Sequence, residues 1–142
     1  MSSEQSSTNE KVIIQSTGRM DGDISVKGIY ERAFRTGDVE FEILPTLIQI
    51  FGIEERGTSE ASQILLQLKT GTKSGLYQFD DPAVIHLGYL PANHEGHYET
   101  TAGAFILNID PVTRKVSGQL LFKCMNGDTE KEVNVEFNIQ NP

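Results

Sequence analysis

The sequence contains no tryptophan, one cysteine and five prolines, and its 12 basic residues are outnumbered by 20 acidic ones. Cys124 stands alone, so no intrachain disulfide can form. The net charge of −8 argues against a nucleic-acid interface, which needs a basic footprint, and against docking on anionic lipid. The longest apolar-rich stretch, ILPTLIQIFGI, is too short and too interrupted to span a bilayer, so no membrane insertion is expected.

The first residues, MSSEQSSTNEK, are polar and have neither a basic region nor an apolar core of the kind that a signal peptide needs. This predicts a cytoplasmic protein, unless a leader has been removed from a secreted one. We expect residues 1–10 to form a flexible tail. With 142 residues in all, residues 11–142 are expected to form a single β domain.

Alternation of apolar and polar residues dominates the rest of the chain and is typical of half-buried strands. In EVNVEFNIQ, Val133, Val135, Phe137 and Ile139 are predicted to point inward. The other segments with this pattern are KVIIQS, DISVKGIY, VEFEIL, QILLQLKT and KVSGQLLFKC. The sequence therefore predicts an all-β, single-domain, mostly antiparallel β-sandwich or β-barrel of about 8–10 strands. Alternation does not separate a sandwich from a barrel, because both architectures share it.

Polar clusters rich in Gly, Asp, Asn and Thr separate these segments and predict turns. NIDPVTRKVSG and CMNGDTEKEV each join two strand-like runs, so both are expected to be hairpins. PTLIQIFGIEER has a helical alternative, but its β-branched and aromatic residues favour a strand. Residues 16–23, 31–38 and 80–100 are predicted to be long loops.

The C-terminal part, about residues 62–140, resembles small β-rich bacterial domains of unknown function that are often found on surface lipoproteins. The segments that carry the resemblance are SGLYQF, HYETTAGAFILNIDPVTRKVSGQLLFKC and KEVNVEFNI, with matching positions at Gly75, Tyr77, Tyr98, Gly103–Asp110 and Val116–Phe122. This resemblance implies a β fold. Those domains have no established activity or catalytic residues, and the chain departs from them in lacking a lipoprotein signal.

All three histidines lie in VIHLGYLPANHEGHYETTAG. His86, His94, His97 and Glu99 are candidate ligands of a divalent metal, because a zinc site needs three or four ligands of these types. On a regular strand the two histidines of H-x-x-H would point to opposite sides, so convergence requires PANHEGH to be a loop. The alternative is a polar loop whose histidines pair with neighbouring carboxylates.

Three functions are compatible with these residues. The first is a non-catalytic domain that recognises a protein or small ligand through its loops, with Tyr77, Tyr89 and Tyr98 as candidate contacts on a shared surface. The second is a β-barrel with an internal ligand cavity, and the third is a metal-dependent enzyme built on the histidines. We favour the first, without a catalytic residue or a cofactor. The acidic balance favours a basic protein partner. A homodimer is the alternative, because the edge strands of an open sheet can pair with a second copy.

Overall fold

The structure, a computed structural model, describes residues 16–142 as ten β-strands and one short 3₁₀ turn. The expected tail at residues 1–10 and most of the KVIIQS strand lie outside the described residues. The strands are β1 (Thr17–Val26), β2 (Ile29–Thr36), β3 (Val39–Ile43), β4 (Leu47–Glu54), β5 (Ser62–Lys69), β6 (Gly75–Gln78), β7 (Val84–Leu90), β8 (Glu99–Asp110), β9 (Lys115–Asn126) and β10 (Thr129–Gln140), with the 3₁₀ turn at Asn93–Glu95.

Two antiparallel sheets pack face to face as a sandwich. The six-stranded sheet has the order β2-β1-β10-β9-β8-β6, and the four-stranded sheet has the order β3-β4-β5-β7. The all-β, antiparallel prediction is confirmed, and of its two architectures the sandwich is present because the sheets do not close into a barrel. The hypothesis of a ligand cavity inside a closed barrel therefore does not apply to this architecture.

The core lies between the sheets and is built from the inward positions of nearly every strand. In β10 the four residues predicted to point inward are all buried, as strand periodicity requires. The largest fully buried side chains are Tyr89, Phe34, Phe41, Phe105, Phe122, Met20, Ile24, Ile50, Ile64, Leu66, Leu68 and Leu107.

Two of the three long loops predicted from the sequence are wrong. Residues 16–23 and 31–38 belong mainly to β1 and β2, which pair with each other across a hairpin. DISVKGIY is not one strand either. Lys27 and Gly28 have φ angles of 52° and 80°, which a two-residue type I′ turn requires at both positions. The two predicted hairpins β8–β9 and β9–β10 are confirmed, and PTLIQIFGIEER contains the strand β4.

The chain crosses from the six-stranded to the four-stranded sheet between β2 and β3. Thr36, which is buried, holds this crossing by donating a hydrogen bond of 2.6 Å to the carbonyl oxygen of Ile53. The Thr36 hydroxyl also accepts a bond of 2.9 Å from the Asp38 N–H. These bonds satisfy backbone groups at a point where the sheet ladders are interrupted.

The predicted loop at residues 80–100 contains an edge strand. β7 pairs with β5 on one side, and in the described chain no strand pairs with its other side. β8 is also incompletely paired, because β6 bonds only to its residues 104–107 and Phe79 adds one bond to Gly103. The free side of β7 and the start of β8 therefore lie at the same margin of the sandwich.

Candidate functional site

An open cleft of about 320 Å³ runs along the free side of β7. Its walls come from β7, from Phe79 and from the start of β8, and they are mostly apolar. Thr100 closes part of the gap by donating a hydrogen bond of 2.5 Å from its Oγ1 to the carbonyl oxygen of Leu87. The lining residues are Phe79, Val84–Leu90 and His97–Thr100. We call this recess the β7 cleft.

Five of the seven residues singled out in the sequence line the β7 cleft: His86, His97, Glu99, Tyr89 and Tyr98. They come together because the loop after β7 turns back through a short 3₁₀ turn and enters β8 beside the same strand. PANHEGH is a loop, as convergence of the histidines required.

His94, however, points away from the other histidines. Its Nε2 lies 3.1 Å from the Glu60 carboxylate on the loop between β4 and β5, and this contact raises the pKa of His94. His86 behaves in the opposite way, because partial burial and the nearby His97 lower its pKa. Within residues 16–142 no group of three His, Cys, Asp or Glu side chains is close enough to hold a metal ion.

A sheet irregularity separates Val84 from His86. Uninterrupted alternation along β7 would place the two residues on one face, but the β5–β7 register shifts between Gln67 and Leu68. Val84 therefore pairs with the buried Leu68 and packs against the core, whereas His86 stays on the outer face. An extra residue in one strand, here Ile85, reverses the faces on either side of it.

The three tyrosines do not share an exposed surface. Tyr89 and Tyr98 are only 1% and 8% exposed, and both belong to the core. Tyr77 lies on β6, where its ring stacks on Phe105 at 5.4 Å and its hydroxyl donates a bond of 2.6 Å to the Lys73 carbonyl oxygen. A role for these residues in ligand contact stays a prediction. They do not form the shared surface of exposed rings that the sequence predicted, because two of the three are buried.

A buried lysine links strand β2 to the 3₁₀ turn that follows β7. Lys131 on β10 has a side chain only 4% exposed, and its Nζ donates to Glu31 at 2.9 Å and to Glu95 at 3.0 Å. The same ammonium lies 5.3 Å from the centre of the Tyr98 ring and 6.0 Å from that of Tyr89. Burial acts to lower the pKa of Lys131, but the two carboxylates outweigh this and raise it, so the lysine is charged at neutral pH.

Arg32 forms a second link across the sandwich. From β2 it donates to Glu54 at 2.8 Å, to the Tyr89 hydroxyl at 2.7 Å and to Ser62 at 3.3 Å, all on the four-stranded sheet. Burial raises the pKa of Tyr89, and Arg32 opposes this shift. Tyr89 and Tyr98 form part of the cleft wall, and Lys131 and Arg32 contact them from the core side. These contacts fix the positions of the two rings and therefore the shape of the cleft.

Sequence reasoning missed Lys131, although the signal was present. In TEKEVNVEF, the lysine is in step with the inward residues Val133 and Val135, so its position predicts a buried cation that needs carboxylate partners. Its partners could not be found in the same way, because Glu31 and Glu95 are 100 and 36 residues away along the chain.

Cys124 is buried in the core. Burial raises the pKa of its thiol to about 11, so the thiolate needed for nucleophilic attack is scarce at neutral pH.

Comparisons with protein-family models, with curated proteins and with solved structures return no match for this chain. The resemblance to bacterial lipoprotein domains therefore stays a prediction. No helix within residues 16–142 has the length and apolarity needed to cross a membrane.

Proposed function

We propose that this chain is a non-catalytic binding domain that holds an extended segment of a protein partner in the β7 cleft. The observation that carries the proposal is that, among residues 16–142, an unpaired strand edge and an apolar recess lie in one place. A free edge offers backbone hydrogen bonds to an added strand, and a recess beside it accepts that strand's side chains.

The direction of the free backbone groups supports this mode of binding. Leu87 turns its carbonyl oxygen away from β5 toward Thr100. Because alternate residues of a strand present N–H and C=O to the same side, Tyr89 presents its backbone groups there as well. An incoming strand would bond to these two residues and displace the single Thr100 contact.

The composition of the cleft favours an apolar side chain with a basic neighbour. Ile85 and Leu90 are 48% and 42% exposed and give an apolar rim, while Glu99 supplies a carboxylate in the lining. The net charge of −8 steers basic segments toward the whole domain before contact. A volume of about 320 Å³ accommodates one or two side chains of a peptide and is small for a separate organic ligand.

The test is selection from a displayed library of random peptides of about 12 residues, a length that covers a typical strand with flanks. Enriched peptides are then titrated into ¹⁵N-labelled protein, and amide shift changes are mapped by NMR. We expect the changes to concentrate in residues 84–90 and 97–100, with basic and β-branched residues enriched in the peptides.

Ile85→Lys, at the rim of the cleft, should abolish binding of an enriched peptide because it places a charge in the apolar recess. Ile106→Lys is the matched control. Ile106 has nearly the same exposure, 47%, but lies on the outer face of the six-stranded sheet. Shift changes that map away from β7, or equal loss of binding in the two variants, would contradict the proposal.

A further inference from the structure

The outer face of the four-stranded sheet has an unusual composition for a surface. Its two central strands, β4 and β5, turn the alternate, half-buried residues of LIQIFGI and QILLQL outward. Among these residues Phe51, Ile53 and Leu65 are apolar and Gln49 and Gln67 are uncharged. Strands with so little charge on either face are typical of sheets covered on both sides, but the sandwich of the described chain covers only one.

A row of polar side chains crosses this face from edge to edge. The strand registers align Glu42 with Gln49, Gln49 with Gln67, and Gln67 with His86. Gln67 donates to Gln49 at 2.7 Å, and Gln49 donates to Glu42 at 3.0 Å. The amides therefore form a ladder that points one way, with a carboxylate acceptor at one end and an imidazole at the other.

Beside this row, a second row contains Glu40, Phe51, Leu65 and Gly88. Its two central members, Phe51 and Leu65, form an apolar strip at the middle of the face. The face therefore has an apolar centre and unlike polar groups at its two margins, acidic on β3 and imidazole on β7.

We propose that this face binds the same face of a second copy of the chain, with a two-fold axis that runs along the strands between β4 and β5. Under that axis β3 lies over β7 and β4 lies over β5, so each row meets its own reversed copy. Glu42 of each copy then faces His86 of the other, so this contact occurs twice. The two amide ladders lie antiparallel, and Phe51 of each copy packs on Leu65 of the other. A face with one margin acidic and the other bearing an N–H donor is complementary to itself in this arrangement.

The size of the face sets the expected strength. The four strands are about 4.8 Å apart and five to eight residues long, so they present roughly 450 Å² per copy, or roughly 900 Å² for the pair. That is just below the usual lower limit of about 1,000 Å² for a specific interface, so we expect a weak dimer with a dissociation constant in the micromolar range or above.

The experiment is sedimentation velocity of the full chain over a series from about 1 µM to about 1 mM, which brackets that affinity. We expect a concentration-dependent shift from monomer to dimer. Leu65→Lys, which places a charge at the centre of the face, should raise the dissociation constant at least about 30-fold, as for a central interface residue. Leu121→Lys, on the exposed face of the other sheet, should leave it unchanged.

A charge exchange tests the register independently of any folding defect in Leu65→Lys. Glu42→Lys alone should weaken the dimer because it faces His86 with a second donor. Adding His86→Glu should restore the dimer, since the pair is then re-formed with its charges exchanged. If the chain is a monomer at every concentration, the proposal is overturned, and the partner of this face is then a different protein. Equal effects of Leu65→Lys and Leu121→Lys, or no rescue by the exchange, overturn this arrangement of the copies.

Discussion

Replacing Lys131 by methionine tests the network beneath the cleft. The substitution keeps the length of the apolar stem but removes an ammonium that donates to Glu31 and Glu95. Two charge-assisted hydrogen bonds contribute about 1.5–3 kcal/mol each at most. Because the two carboxylates are 38% and 29% exposed, water replaces part of the loss, and the cost of burying the ammonium disappears. A sulfur over the Tyr98 ring offsets the lost cation–π contact. We expect a net loss of about 2–3 kcal/mol in the free energy of unfolding.

The assay is urea unfolding followed by far-UV circular dichroism at pH 7, with tyrosine fluorescence as a second probe. Lys123→Met, at an exposed position of β9, is the control and should change stability by less than about 0.5 kcal/mol. The triple variant Lys131→Met/Glu31→Gln/Glu95→Gln should recover at least half of the loss, since no uncompensated carboxylate remains. The folded pKa of Lys131 is raised, so its contribution is fully present below the ordinary lysine pKa and is lost only as the pH rises above it. A loss for Lys131→Met no larger than that of the control would refute the reasoning.

Three further predictions follow from single sites. Cys124 should not react with a thiol reagent at pH 8 in the folded protein and should react fully in urea, because its thiol is buried; reaction at equal rates would contradict this. Gly118→Ala should cost about 2–3 kcal/mol in urea unfolding because the new Cβ collides with the β8 backbone, whereas Gly37→Ala has ordinary contacts and should cost little. In an NMR titration His94 should show a raised pKa that falls in Glu60→Gln; the ion pair favours the folded state at low pH and is lost as the pH rises through that pKa.

Local alternation predicted where strands lie, but not which strands pair. Val133 to Ile139 were assigned to the core because period two needs only neighbouring residues. The pairing of β10 with β1 joins residues more than 100 positions apart, and nothing in either segment specifies the other. The turn at Lys27 is hard to predict for a different reason: a lysine at positive φ has no strong turn signature, and the apolar residues on both sides of Gly28 favour one continuous strand.

The sequence marks the position of the cleft but not its role. The segment from His86 to Glu99, which contains all three histidines, forms most of one cleft, and its function as a site stays a prediction. Its chemistry was not predictable, because His94 finds its partner Glu60 on a distant loop and Tyr89 turns inward to Arg32. Such partners depend on how the two sheets are stacked, which is a tertiary property.

The position of β10 has a consequence for synthesis. It is the last strand of the described chain, yet it lies between β1 and β9 in the six-stranded sheet. All four strands of the other sheet have been translated by residue 90. A nascent chain that stops before Thr129 therefore holds the β1–β2 and β8–β9 hairpins without the strand that joins them. The six-stranded sheet can become continuous only after β10 has left the ribosome, whereas the four described strands of the other sheet are available earlier.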